Sequence, residues 1–204
     1  AAWHLVSDVP FQDTYEEVLE ASYNGEYDEP NIEEAARIVA EQGAQGAEVR
    51  IGYSAPNPRR ADQVALIKSS CDQAGFNIIA TPDAEWTKKL DELGSWDAAL
   101  FGWAGSGLVA SGQSIYDSEG VQNYGKFKSE KVDDLWDEIA QTTDADKVKE
   151  LKMQLEEELA KDVYNVLLFA NADIVAHNST MEEVVYNPTQ SGVTWNAFEW
   201  TKQA

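Results

Sequence analysis

Between residues 48 and 102 the sequence alternates between short apolar segments and amphipathic segments that are joined by short connections. The apolar segments 48–53, 76–80 and 97–102 have the length and composition of buried strands. The segments between them carry apolar residues three and four positions apart, which predicts helices. Strands that alternate with helices across short connections form a parallel sheet with right-handed crossovers. The sequence therefore predicts an α/β fold with a mostly parallel βαβαβ sheet flanked by helices.

Capping residues mark where several of these helices begin. Asn31 has Glu34 at its third position, and Asn57 is followed by Pro58, a residue favoured at the first helical position. Pro82 opens a third predicted helix, which carries Trp86. Elsewhere, apolar periodicity predicts helices at 11–22, around 132–139 and at 144–162. It also predicts strands at 166–169 and 174–176. The tail, at 184–186 and 194–200, alternates only weakly.

The charge balance excludes some classes of partner. The chain has 37 acidic and 15 basic residues, a net charge of −22, which argues against binding to nucleic acid or to an anionic membrane surface. It contains no run of about 18 apolar residues that could span a bilayer, and no signal-peptide pattern at its start. Cys71, the single cysteine, cannot form an intramolecular disulfide and is interpreted as a small buried hydrophobic residue.

Signals for catalysis are weak. His4 and His177 are far apart in sequence, and neither has the spacing of a metal ligand. Ser106 follows a buried strand, where a hydrolase nucleophile could lie, but a nucleophile elbow needs glycine at the positions of Ala104 and Leu108. No dinucleotide-binding or phosphate-binding glycine motif is present. The sequence thus predicts no enzyme, no cofactor and no metal site, with a serine hydrolase using Ser106 as the least favoured alternative.

A binding loop is predicted directly after the third strand, because ligands of open α/β sheets bind beyond the carboxyl ends of the strands. Trp103 would supply area for stacking. Gly105 and Gly107 would let the backbone approach a ligand and offer amide groups, and Ser106 could make one hydrogen bond. The predicted ligand-binding residues are Trp103, Ala104, Gly105, Ser106, Gly107, Tyr116 and Asn123.

The order of several short motifs resembles a known family. The motifs are 49–53 (VRIGY), 57–59 (NPR), 74–78 (AGFNI), 96–103 (WDAALFGW), 123–129 (NYGKFKS), 132–135 (VDDL) and 167–169 (LLF). In this order and spacing they resemble the C-terminal lobe of the family 5 extracytoplasmic solute-binding proteins, the peptide- and oligopeptide-binding components of ABC importers. Each motif alone is weak, and the match covers roughly residues 30–200.

The resemblance implies a periplasmic-binding-protein-like lobe of a longer protein whose two lobes close on a solute. In that arrangement residues 1–46 are a helical, hinge-proximal segment, and residues 47–204 are the α/β ligand-binding lobe. The implied partners are a small peptide or other polar solute and the permease subunits of an ABC transporter. The full-length protein is expected to be an extracytoplasmic monomer, held at the membrane by a lipid anchor that lies outside this chain.

One departure from the family pattern leaves the solute open. Classical peptide binders of this family carry, after the Gly-Trp that ends the third strand, an aspartate that pairs with the α-ammonium of the peptide. Ser106 stands at the equivalent position here and cannot make that charge-assisted bond. Binding of an oligosaccharide stacked on Trp103 is therefore an alternative to binding of a peptide. The proline that usually precedes the late strand is also absent, since Asn165 and Val166 occupy that region.

Overall fold

A computed structural model describes residues 29–104, 110, 112–169, 171, 174–187 and 191–203. The predicted helix at 11–22 lies outside these residues. The elements, in chain order, are α1 (Ile32–Glu41), β1 (Glu48–Ser54), α2 (Pro58–Gln73), β2 (Asn77–Asp83), α3 (Trp86–Lys89), β3 (Ala98–Ala99), α4 (Gln113–Tyr116), α5 (Glu130–Gln141), α6 (Ala145–Asp162), β4 (Met181–Glu182), a 3₁₀ helix (Val193–Glu199) and β5 (Thr201–Lys202).

The predicted parallel sheet is confirmed. Its strand order is β2-β1-β3, with β1 in the centre, and both pairings are parallel. β1 pairs with β2 along its whole length, from Glu48 opposite Asn77 to Ser54 opposite Asp83. β3 is shorter than predicted, and only Ala98 and Ala99 pair regularly with β1. The fold class is therefore α/β, with parallel strands joined by helices, as the sequence indicated.

Side-chain caps begin the helices where the sequence placed them. The side chain of Asn31 accepts a hydrogen bond from the backbone N–H of Glu34 (3.0 Å). Asn57 accepts one from the N–H of Arg60 (3.1 Å), directly before proline at the start of α2. These bonds satisfy amides that have no partner within the helix.

The third predicted helix is shorter than expected. β2 extends through Pro82 and Asp83, and α3 contains only four residues. Proline lacks the N–H that a central strand would need. Pro82 is tolerated here because β2 lies at the edge of the described sheet, where one side of the strand makes no ladder bonds.

Residues 29–102 of the described chain form one compact unit around the sheet. Its core joins β1 and β2 to the inner face of α2 through Ile51, Tyr53, Val64 and Ile78. Cys71 is only partly buried, rather than buried as predicted, but it packs against this cluster, and burial raises the pKa of its thiol.

The described residues from Trp103 onward form a second compact unit. Helices α5 and α6 pack against each other, and Ser129 and Asp144 cap them. Helix α1 belongs to the same unit as the sheet. The boundary predicted at residue 46 concerns a segment that lies mostly outside the described residues, and it stays a prediction. The core of the second unit consists of Ile115, Tyr116, Val132, Leu135, Trp136, Ile139, Leu151, Leu155 and Leu159.

The predicted strands at 166–169 and 174–176 were wrong. The described residues of both segments form no strand, and Val166 and Ile174 are 76% and 89% exposed. Alternating apolar residues become a strand only when their backbone pairs with another strand, and the described residues of these segments make no such pairing.

The weakly alternating tail forms two kinds of element. A short antiparallel pair joins β4 to β5, and residues 193–199 form a 3₁₀ helix. Asn196 is fully buried there. Its amide nitrogen donates to the backbone oxygen of Glu183 (2.6 Å), and its oxygen accepts from the indole N–H of Trp200 (3.0 Å). These side-chain bonds favour the tight helical turn over an extended strand.

Candidate ligand-binding site

Trp103 and Tyr124 form a parallel aromatic pair at the start of the predicted binding loop. Their ring planes differ by 5° and their centroids are 6.0 Å apart. Both side chains are partly buried, and Trp103 also packs against the core of its unit. An offset stack of this kind is a favourable arrangement of two aromatic quadrupoles, so it fixes the orientation of Trp103 where the chain leaves the third strand.

Tyr116 lies behind this surface, at the end of α4. Its side chain is 1% exposed, and its hydroxyl accepts a hydrogen bond from the side-chain amide of Asn165 (3.2 Å). The ring of Tyr164 meets it edge-on, with centroids 6.0 Å apart. Burial raises the pKa of Tyr116 far above its usual value, which keeps the phenol neutral.

Asn123 is equally buried, and both of its amide atoms are used within the protein. Its nitrogen donates to the backbone oxygens of Asp117 (3.1 Å) and Phe127 (2.7 Å). Its oxygen accepts from the N–H of Phe127 (3.0 Å) and from the hydroxyl of Tyr164 (2.9 Å). Asn123 therefore joins the two ends of a short loop, residues 124–126, and ties that loop to a tyrosine 41 residues away in sequence.

The three-residue loop is tightly held. The N–H of Gly125 donates to the hydroxyl of Tyr164 (3.3 Å), and a Cβ at position 125 would lie 2.8 Å from the ring of that tyrosine. Glycine is needed because nothing larger fits under the ring. Lys126 follows with a φ of 55°, a left-handed conformation that side chains other than glycine rarely adopt. The loop thus presents Tyr124 and Lys126 in fixed positions.

The predicted site residues fall into two groups. Trp103 and Ala104 lie at the start of the loop, and Tyr116 and Asn123 lie buried in the same unit as Trp103. Gly105, Ser106 and Gly107 lie outside the described residues. Their roles in binding all stay predictions.

Tyr164 was not foreseen as part of this region. Its contacts with Asn123 and Tyr116 bridge 41 and 48 residues of sequence, so no local pattern could have indicated them. The pairing of Tyr124 with Trp103 was not predicted either.

Within the described ranges, no group of three or more His, Cys, Asp or Glu side chains is placed to hold a metal ion. The same part of the chain contains no helix that is long and apolar enough to cross a membrane. The described geometry provides an aromatic surface and a loop whose backbone is held by hydrogen bonds.

Relatives of known name match part of the chain. An uncharacterized lipoprotein of Mycobacterium leprae is 28% identical over 167 residues, which cover 74% of this chain and 29% of that protein. The oligopeptide-binding protein OppA of Mycobacterium tuberculosis is 30% identical over 130 residues, covering 63% of this chain and 22% of that protein. The chain therefore spans less than a third of the length of these relatives. No family model matches it.

Solved structures show the same fold. The oligopeptide-binding protein AppA of Bacillus subtilis, in complex with a nonapeptide, superposes with a TM-score of 0.73 and 17% identity, covering 100% of this chain and 43% of that one. A mannohexaose-bound periplasmic oligopeptide-binding protein of Thermotoga maritima gives a TM-score of 0.61 and 20% identity, covering 79% and 35%. The resemblance predicted from the sequence is confirmed by these likenesses: over most of its length the chain is similar to part of a lobe of the family 5 extracytoplasmic solute-binding proteins.

Proposed function

We propose that this chain is part of the solute-binding component of an ABC importer, which binds a peptide between two lobes and delivers it to a membrane permease. The observation that carries this proposal is the oriented Trp103–Tyr124 pair at the start of the loop after the third strand, in a fold shared with a nonapeptide-bound protein. In the same proposal the full-length protein is extracytoplasmic and lipid-anchored, since relatives are named as lipoproteins.

The predicted site residues would have two different roles in binding. Residues 103–107 would contact the solute through stacking on Trp103 and through backbone amides. Tyr116 and Asn123, each 1% exposed, would act from behind by holding that surface in place. Such a division is usual in binding sites, where rigid support limits the entropy lost when the ligand binds.

Oligosaccharide binding is the second candidate. An aromatic pair offers a flat surface for a sugar ring as well as for a peptide side chain, and a structural neighbour holds mannohexaose. Ser106, which replaces the aspartate of the classical peptide-binding pattern, removes one reason to expect a free α-ammonium group in the ligand.

We propose no catalytic activity. The relatives whose names state a function are binding proteins, and a serine hydrolase would need a base for Ser106 that the sequence does not place nearby. The purified full-length protein should hydrolyse no ester substrate above the rate of its Ser106→Ala variant. A serine-dependent activity would revive the hydrolase alternative.

Calorimetry of the full-length protein against peptides of three to nine residues and against oligosaccharides tests the main proposal. Peptides should release heat on binding, and Trp103→Ala should weaken their affinity by about tenfold or more, the effect of losing ~1.4 kcal/mol of stacking. Trp195→Ala is the matched control, because Trp195 is 44% exposed in the 3₁₀ helix. Heat with sugars alone would favour the second candidate, and heat with neither class would refute both.

A further inference from the structure

Lys126 occupies a backbone conformation that its residue type disfavours. Its φ is 55°, and its side chain is exposed. A lysine gains nothing locally from the left-handed region, because its Cβ crowds the backbone there and its side chain cannot bond back to the turn as asparagine or aspartate can. Residues held in sparsely populated conformations are concentrated at ligand contacts, where surrounding structure fixes them.

The surrounding structure does fix this one. Asn123 closes the loop by bonding to both backbone groups of Phe127, and the backbone N–H of Lys126 donates to the carbonyl of Asn123 (3.1 Å). The hydroxyl of Tyr164 binds the side chain of Asn123 and the backbone of Gly125. These hydrogen bonds therefore hold the backbone of Lys126 in its unusual conformation.

The charge of Lys126 is not neutralised by the described part of the chain. The nearby lysines are paired: Lys128 lies 3.8 Å from a carboxylate oxygen of Glu119, and Lys131 bonds to Glu158. Lys126 makes no ion pair with any described residue, although the chain has 37 acidic and only 15 basic residues. Most of the surface of so acidic a protein repels anionic groups. An ammonium that no described carboxylate neutralises can still attract one.

The position of Lys126 links it to the proposed solute site. Tyr124, two residues before it in the same closed loop, stacks on Trp103. Tyr124 of the aromatic pair and Lys126 thus belong to one short loop, with a single residue between them.

We propose that Lys126 is a specificity-determining residue whose ammonium binds an anionic group of the solute, namely a carboxylate. This inference rests on the proposed function and deepens it, because it selects solutes that carry a carboxylate, such as peptides with a free C-terminus, over neutral sugars.

The test uses the full-length protein and peptides of neutral residues, three to nine residues long, each with a free and with an amidated C-terminus. Calorimetry should show that Lys126→Gln weakens binding of the free-acid peptides by about fivefold, the upper end of what a solvent-exposed ion pair contributes. Amidated peptides should bind both proteins with affinities within about twofold of each other. Glutamine keeps the strained backbone position and a similar length while removing the charge.

Two controls separate a direct contact from a general charge effect. Lys202→Gln removes the same charge from an exposed lysine of β5 that makes no ion pair with the described residues, and it should leave all affinities unchanged. Raising the salt concentration should weaken binding of the free-acid peptides to the wild-type protein more than to Lys126→Gln.

The outcomes distinguish this inference from the proposed function. Equal loss for free-acid and amidated peptides, or no loss for either, overturns the inference while peptide binding by the wild-type protein stands. A wild-type protein that binds no peptide of either kind refutes the main proposed function, and the inference is refuted with it. Binding of neutral sugars alone has the same consequence.

Discussion

The guanidinium of Arg50 makes two parallel hydrogen bonds to the carboxylate of Asp97, from Nε to Oδ2 and from Nη2 to Oδ1, each 2.9 Å long. Oδ2 also accepts the backbone N–H of Arg50 (2.8 Å), and Nη1 donates to the carbonyl of Gly94 (2.8 Å). The pair therefore ties the centre of β1 to the segment that enters β3. Its bidentate geometry is the most specific form of an arginine–carboxylate contact.

This ion pair predicts a dependence of stability on pH. The hydrogen bonds from Arg50 lower the pKa of Asp97 to about 2, below the value of about 3.9 expected in the unfolded chain. A depressed folded-state pKa gives stability that is fully present above about pH 4 and is lost as the pH falls toward 2. Asp97→Asn should lower the free energy of unfolding at pH 7 and flatten its decline between pH 4 and 2, as measured by urea unfolding at each pH.

The control for this prediction is Asp62→Asn, which changes an exposed carboxylate of α2 that forms no ion pair with the described residues. Asp62→Asn should leave most of the fall in the free energy of unfolding below pH 4 unchanged. An unfolding profile for Asp97→Asn parallel to that of the wild type would contradict the assigned role of the pair. Because both side chains of the pair are about 40% exposed, solvent screening keeps the effect well below that of a buried pair.

Gly52 offers a test of packing on the face of β1 opposite to Ile51 and Tyr53. A Cβ at this position would lie 2.0 Å from the ring of Trp86, which is 4% exposed. Gly52→Ala should therefore reduce the free energy of unfolding by about 3 kcal/mol, since the indole must move out of a filled space. Gly102→Ala is the matched control, because a Cβ there would have no atom within 4 Å. It should change stability by about 0.5 kcal/mol or less, and equal effects of the two changes would refute the packing argument.

The alternation of strands and helices was predictable because it follows from local periodicity and from capping residues. Asn31 and Asn57 cap helices where their neighbours indicated. The parts that could not be predicted depend on distant partners. The loop at 124–126 is held by Tyr164, and the alternating segment at 166–169 failed to become a strand because backbone pairing, rather than periodicity, decides that outcome.

The same reasoning limits what the sequence could say about the site. Trp103 was predicted from its place after a buried strand, which is a rule of topology. The burial of Tyr116 and Asn123 was not predictable from local pattern, since Tyr116 packs with residues of α5 and α6, which come later in the chain, and Asn123 bonds to Tyr164.

The Asn123–Tyr164 bond predicts a measurable coupling. Tyr164→Phe should lower the free energy of unfolding by about 1 kcal/mol, because it removes the hydroxyl that bonds to both Asn123 and Gly125. Asn123→Ala should lower the free energy of unfolding by about 3 kcal/mol, because it removes the hydrogen bonds of three part-buried backbone groups of Phe127 and Asp117. The double variant should lose about 0.5–1 kcal/mol less than the sum of the two, as expected for residues in one network.

Urea unfolding of the wild type, the two single variants and the double variant measures this coupling. Asn165→Ala combined with Asn123→Ala serves as the control pair, since Asn165 bonds to the hydroxyl of Tyr116 rather than to Asn123. That combination should be closer to additive. Full additivity for Asn123 and Tyr164 would contradict the view that the two side chains hold the loop as a unit.

Val163 ends helix α6 in a left-handed conformation with a φ of 48°, which is unfavourable for a β-branched residue. Its side chain is 51% exposed, so little packing is lost when it is removed. Val163→Gly should raise the free energy of unfolding by about 1 kcal/mol, because relief of backbone strain exceeds the entropy that glycine adds to the unfolded chain. Val166→Gly, at a 76% exposed position without a positive φ, should give no such gain. Urea unfolding compares the two variants with the wild type, and a loss of stability in Val163→Gly would show that the helix end tolerates valine without strain.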